Sequence, residues 1–262
     1  MQELGDDGRD EQEVPLSGGN MSEVVRRGQT VHRTAGPWTS TIHRLLDHLA
    51  TAGIGWLPRP LGLDDRGREV LTYLPGTVPA YPMPPWVWSA EVLTEAAGRL
   101  ALLHHATARF DLSEAVWQLP ARSPVEVVCL NDVAPYNMVF DDDHRLSGFI
   151  DVDTASPGPR VWDLAYLAYR LVPLTPAEDT GAGAPTLAAR RERLRQLCLA
   201  YGAAGDRVEL VPRDVLTAVV DRLVDLAAFT DRRAAEGART RSPTTPRATA
   251  PTPPGSGRIS KS

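Results

Sequence analysis

The chain has 262 residues, 42% of them hydrophobic and 23% charged, with a formal charge of -5 and two cysteines. That is enough apolar material for one large domain or two small lobes, at a charge density typical of folded proteins. No apolar run approaches the roughly 20 residues that cross a bilayer, and no signal-peptide pattern opens the chain, so a cytoplasmic protein without membrane contact is expected.

The charge is unevenly spread. Residues 1 to 13 carry six acids and one base, whereas everything after Glu236 carries five bases and no acid. The folded body is therefore acidic, which argues against nucleic-acid binding, since neutralising phosphates needs a basic face. It is compatible with a cationic substrate. Cys129 and Cys198 lie in apolar stretches without CxxC spacing and read as reduced core thiols. The only lysine is Lys261, in the tail, so no mechanism can rely on a lysine inside the fold.

In chain order, residues 1–12 are polar, acidic and expected to be disordered. EVPLSGGNMSEVVRRGQTVHR reads as three short strands, with turns at Gly18-Gly19-Asn20 and Gly28-Gln29. A helix follows from Thr39, the expected N-cap, to Ala52, with Ile42, Leu45, Leu46 and Leu49 on one stripe. Two more strands, Pro58–Leu63 and Arg68–Leu74, flank the turn DDRG. After Pro75-Gly76 a long helix capped by Ser89 runs to Phe110. Short strands are expected at Glu126–Cys129, Met138–Phe140 and Leu146–Ile150, and helices near Val161–Leu171, Leu187–Tyr201 and Val215–Ala235. From Gly237 the chain is rich in Pro, Thr, Ser and Gly and reads as an unstructured tail.

Asp132 and Asn137 stand five positions apart in VCLNDVAPYNMVF, a mostly apolar stretch where polar groups need a partner or a metal. They lie on the loop before one strand of a hairpin whose other strand ends in FIDVD, which returns Asp151 beside them. Oxygen ligands from Asn137 and Asp151 suit Mg²⁺, and Asp132 stays free to accept a hydroxyl proton. That combination suits phosphoryl transfer from a nucleotide.

LNDVAPYNMVF and SGFIDVDTASPGPRVWDLAY resemble the core of the aminoglycoside phosphotransferase family, relatives of protein kinases, whose loop reads H-G-D-x-x-x-x-N before I-D-x-G or I-D-x-D. The likeness spans residues 14 to 235 in element order and is strongest over 126 to 170. It implies an α+β, two-lobed kinase-like fold, with a small antiparallel-sheet N-lobe containing one helix and a larger, mainly helical C-lobe. The implied division is 1–12 tail, 13–74 nucleotide-binding lobe, 75–236 catalytic and substrate-binding lobe, and 237–262 basic tail.

The resemblance also implies roles. Asp132 takes the place of the base, Asn137 and Asp151 those of the metal ligands, and Asp163 that of a loop brace. Asp153 reads either as a further metal residue or as a turn cap. Gly18 and Gly19 correspond to the hairpin over the phosphates, and Arg33 to the usual phosphate-binding lysine. Thr72, Tyr73 and Leu74 correspond to the hinge whose backbone receives the purine. ATP or GTP with Mg²⁺ transferring its γ-phosphoryl group to a small hydroxyl compound follows, with the acceptor unassigned.

Three positions depart from the pattern. Leu130 and Asn131 replace the loop histidine and glycine, and the small-lobe helix offers only Asp47, near His43, where a glutamate usually pairs with the lysine. They motivate an alternative, a catalytically weak nucleotide-binding pseudokinase with a regulatory role. His104-His105 reads as helix surface, Asp141–Asp143 as a solvated turn, and the tryptophans of PPWVW as packing at the lobe junction.

Overall fold

The β-branched residues on either side of Gly28-Gln29 do build a sheet. In the structure, a computed structural model that describes residues 12–16, 24–174 and 185–240, five strands pair antiparallel in the order β1-β2-β3-β5-β4. They are β1 (Val14–Pro15), β2 (Val24–Arg27), β3 (Thr30–Thr34), β4 (Pro60–Leu63) and β5 (Arg68–Thr72). The β2–β3 turn is tight because Gly28 adopts φ 53°, which costs glycine nothing. In the β3–β5 register Arg33 faces Glu69 directly, a cross-strand pair of opposite charge.

Helix α1 (Thr39–Thr51) packs its predicted stripe inward: Ile42, Leu45, Leu46 and Leu49 are all buried. Thr39 is not its cap. Trp38 holds that position, and the Thr39 hydroxyl accepts from the Gly36 amide at 2.9 Å, bracing the turn upstream. Helix α2 (Ala90–Thr107) is capped as expected, with Ser89 Oγ accepting from the Val92 amide.

Between α2 and α3 (Arg160–Leu171) lie two small ladders, β6 (Val127–Cys129) with β9 (Ser156–Gly158) and β7 (Met138–Phe140) with β8 (Leu146–Phe149). Strand β9 was not expected, because Ser-Pro-Gly carries no strand signal; only its pairing with β6 makes it one. Helix α4 (Leu187–Ala203) packs on α2 and contributes Arg193, a buried arginine whose guanidinium donates to the carbonyls of Leu171 and Trp88. It thereby satisfies the open C-terminal end of α3.

Helix α5 spans Pro212–Thr240. The expected tail boundary at Gly237 is thus corrected: one interior glycine costs a helix only about 1 kcal/mol, and no proline follows until Pro243. Residues 1–11 and 241–262 lie outside the described residues. Contacts divide the chain into Met1–Arg222 and Leu223–Ser262, so the expected lobe boundary at 74/75 falls inside the first unit. Thr77 and Phe140 exchange two backbone hydrogen bonds of 2.8 and 2.9 Å, which tie the segment after β5 to β7. No helix among the described residues is long and apolar enough to cross a membrane.

Gly76 makes that junction possible. It adopts φ 141°, and a Cβ there would stand 2.4 Å from the Phe140 carbonyl oxygen. Gly76→Ala should therefore lower the unfolding free energy by about 1–3 kcal/mol. Gly98→Ala, in α2 where an added Cβ meets nothing within 4 Å, should be neutral or raise it by up to about 1 kcal/mol. Urea denaturation of the two variants beside the parent checks both signs.

Candidate active site

The loop between β6 and β7 is held from below by one carboxylate. Asp163, in the first turn of α3, is fully buried. It accepts from the amides of Leu130 at 2.6 Å and Asn131 at 2.8 Å. His104 of α2, also fully buried, contacts it through Nε2 at 3.2 Å and meets the Tyr201 hydroxyl through Nδ1 at 2.7 Å. That network assigns the proton to Nε2, which donates to Asp163. The expectation that His104 is helix surface is corrected; His105 alone is exposed, paired with Asp206. Although His104, Cys129 and Asp163 lie within 4.8 Å of one another, they do not form a metal site. Asp163 already has three donors, and burial and the Asp163 charge hold the Cys129 thiol well above its usual pKa.

Leu130 and Asn131 fit this loop. Leu130 is buried, and its carbonyl accepts from the Thr154 hydroxyl at 2.9 Å. Asn131 adopts φ 65°, the left-handed region a motif glycine would occupy and that asparagine tolerates best among the other residues. Its amide nitrogen donates to the Thr154 carbonyl and Ser156 Oγ at 2.8 and 2.9 Å. Its carbonyl accepts from Arg222.

Around this loop the expected residues fall on two adjoining segments. Asp132, half-buried, accepts from Asn137 Nδ2 at 2.9 Å and from the Tyr136 hydroxyl at 2.8 Å. Asn137 is joined to the neighbouring strand end by the Ile150 amide, which donates to its carbonyl at 2.9 Å. Asp151 follows at φ 61°, its carboxylate accepting from Arg33 Nη1 at 2.7 Å, with Asp153 4.0 Å from the same nitrogen. Burial first, then repulsion from Asp153, push the Asp151 carboxyl up to about 6, while Arg33 pulls it down. With 46% of the Asp151 side chain exposed, the repulsion is the better supported cause. Carboxylate and carboxamide oxygens are donors that a hard cation takes, Asp132 and Asn137 on the loop and Asp151 and Asp153 at the strand end.

Arg33 has a partner that the expected helix carboxylate would have supplied. Its Nε donates to Glu69 of β5, and His43 Nε2 lies 3.0 Å from the other Glu69 oxygen. Asp47 is exposed and takes no part. Burial alone would lower the Arg33 pKa, but Glu69, Asp153 and Asp151 outweigh it and keep the guanidinium charged.

The hinge is only partly free. The Thr72 amide donates to the Arg59 carbonyl and the Tyr73 amide to the Gln29 carbonyl, so neither N–H is available to a purine. Leu74 has the one amide of the three without a partner among the described residues. Gly18 and Gly19 lie outside the described residues. Trp86 stacks on His144 and meets Phe140 edge-on, so it packs the hairpin.

A model of the phosphotransferase enzyme family matches residues 83–197. Over 192 residues the chain is 34% identical to the trifolitoxin immunity protein of Rhizobium leguminosarum bv. trifolii, covering 70% of this chain and 72% of that protein. The chain belongs to the phosphotransferase enzyme family. Two solved structures match this family member in fold, at identities too low to carry more. An aminoglycoside phosphotransferase in a ternary complex with streptomycin and ATP is 14% identical, with a TM-score of 0.56 over 86% of this chain and 88% of that one. An aminoglycoside phosphotransferase of Streptomyces rimosus is 13% identical, with a TM-score of 0.51 over 83% and 94%.

Among the residues around this phosphotransferase-family loop, sequence reasoning missed Glu69, His43, His104 and Tyr136. His104 carried a signal, four residues after the buried Leu100 on the inward stripe of α2. Asp163→Asn should cost about 2–4 kcal/mol of stability, because an amide cannot accept from all three donors and turns its own N–H₂ on one of them. Urea unfolding of the variant checks this, and an unchanged midpoint would mean that the loop amides have other partners.

Proposed function

We propose that this chain transfers the γ-phosphoryl group of ATP or GTP to a hydroxyl of a small molecule. The observation that carries the reading is the hydrogen bond between Asp132 and Asn137 on a loop whose Asn137 carbonyl accepts from Ile150, the residue before Asp151. Family membership and the ATP complex of one fold relative support it.

In this reading Asp132 orients the acceptor hydroxyl and takes its proton as the oxygen attacks phosphorus. Asn137 donates to the Asp132 side chain and carbonyl, which fixes the carboxylate and leaves the amide oxygen for a cation. Asn137 and Asp151, with Asp153 beside them, hold Mg²⁺, which supplies neutralisation of the phosphate oxygens. Arg33, aimed by Glu69, binds phosphate; its planar fork matches two oxygens where a lysine would offer a point charge. The Leu74 amide receives the purine.

The pseudokinase alternative draws on Leu130, the absent lysine and the weak helix carboxylate. The buried His104–Asp163–Asn131 brace and the Arg33–Glu69 pair supply those functions from other positions, which favours an active enzyme. A cytoplasmic setting, where ATP and Mg²⁺ are plentiful, suits the reaction. The name of the Rhizobium relative supports protection against an antimicrobial compound as the biological role.

Asp132→Ala should lower turnover by about 10²–10⁴-fold while nucleotide affinity stays near that of the parent. ADP release across a hydroxyl-compound panel, with a nucleotide-binding titration beside it, checks this, and equal loss of both contradicts the role. The raised Asp151 carboxyl makes a second prediction. A folded-state pKa above its ordinary value of 3.8 means this group opposes folding progressively as pH rises from about 4 through about 6. Cation binding relieves that opposition and needs the deprotonated form. The gain in thermal midpoint on adding Mg²⁺ with nucleotide should therefore be larger at about pH 7.5 than at about pH 5. A gain independent of pH would remove Asp151 from the cation site.

A further inference from the structure

A second cation is joined to Asp132 through one phenol. Arg170, near the end of α3, reaches Tyr166 Oη with Nη2 at 2.8 Å, Tyr136 Oη with the same nitrogen at 3.4 Å, and Tyr81 Oη with Nη1 at 3.3 Å. The Tyr136 hydroxyl is the one that donates to Asp132 at 2.8 Å. A single phenol oxygen thus stands between the guanidinium and the carboxylate assigned as base.

The charge of Arg170 is not balanced locally. Arg33 meets Glu69 and Asp151, and Arg160 meets Asp206. Among the described residues Arg170 meets no carboxylate within ion-pair distance; its neighbours are phenols and the ring faces of Tyr136, Tyr166 and Tyr169 at 4.9 to 5.3 Å. Burial and the nearby Asp132 charge push the Tyr136 phenol well above its ordinary range and raise that of Tyr166, so they stay neutral and cancel none of it. Arg170 Nε is buried without any partner, a donor the protein leaves unsatisfied. The site is open on one side, where Tyr81 is 45% exposed.

We propose that Arg170, with the Tyr81 hydroxyl, is the acceptor subsite and selects a small hydroxy compound that carries a carboxylate. The proposal rests on the phosphotransfer reading above and names the acceptor class for that same site. A guanidinium N–H and the Tyr81 O–H are donors that a carboxylate accepts from, while the Tyr136 O–H stays on Asp132. With one phenol between guanidinium and base, a short hydroxy acid places its carboxylate on Arg170 and its hydroxyl at Asp132. A cationic acceptor meets a fixed positive charge there, so the acidic net charge of the body does not decide substrate sign at this point.

The test is calorimetric titration of the full chain, loaded with Mg²⁺ and a non-hydrolysable ATP analogue. L-serine, L-homoserine and 3-hydroxypropionate are each compared with their carboxamides, and with choline and streptomycin. At least one hydroxy acid should bind about tenfold or more tightly than its carboxamide and than either cation. Arg170→Gln should abolish that preference and Arg170→Lys should keep part of it; circular dichroism confirms that each variant is folded. If Arg170→Gln does not fold, the matched acid and amide pairs on the parent decide alone. Equal affinity within every pair, no binding of any hydroxy acid, or preference for the cations overturns the subsite. Turnover is scored separately by ADP release. Carboxylate preference without turnover would sink the phosphotransfer reading and leave the subsite standing, whereas turnover of choline or streptomycin alone would do the reverse.

Discussion

Everything at this site depends on a carboxylate that never meets solvent. An ionised aspartate buried without donors is too costly to keep. Asp163 is kept because two consecutive loop amides and His104 all point at it. Fixing those amides fixes the Leu130–Asn131 peptide, and Asn131 must then turn left-handed to continue the chain. That turn lifts Asp132 out of the core to a half-buried position facing Tyr136 and Asn137. The motif's histidine and glycine are not needed as such. Their work is divided among a packed leucine, an asparagine bonded to Thr154 and Ser156, and a histidine from a different helix.

The same redistribution governs the charges. Without a lysine in the fold, Arg33 of β3 takes its carboxylate partner from the adjacent strand instead of from α1. A cross-strand partner is directly opposite and rigidly held, which suits a planar guanidinium with two edges to satisfy. One edge goes to Glu69 and the other reaches Asp151. His43 ties the helix to the pair from behind. Beyond Tyr136, Arg170 sits among phenols, and among the described residues no carboxylate lies within ion-pair distance of it.

How far the sequence could be read follows from distance along the chain. Asp132, Asn137 and Asp151 belong to one loop and one hairpin, so local turns sufficed to put them on adjoining segments. Glu69 meets Arg33 across 36 positions, and its role depends on a strand register that no local pattern announces. Strand β9 exists only because β6 needs a partner, and Ser-Pro-Gly by itself says turn. His104 was readable as part of the inward face of α2, had helical spacing been weighed above its polarity. Thr72 and Tyr73, expected to receive the purine, have amides already held by the Arg59 and Gln29 carbonyls.

The claim that a loop pinned by Asp163 presents Asp132 and Asn137 beside Asp151 for one nucleotide-bound cation is tested most directly by a crystal structure with Mg²⁺ and a non-hydrolysable ATP analogue. The account predicts an ion within about 2.1 Å of both the Asn137 amide oxygen and an Asp151 oxygen, with the terminal phosphate turned toward Asp132. An ion that touches neither residue, or a triphosphate bound away from this loop, would contradict it.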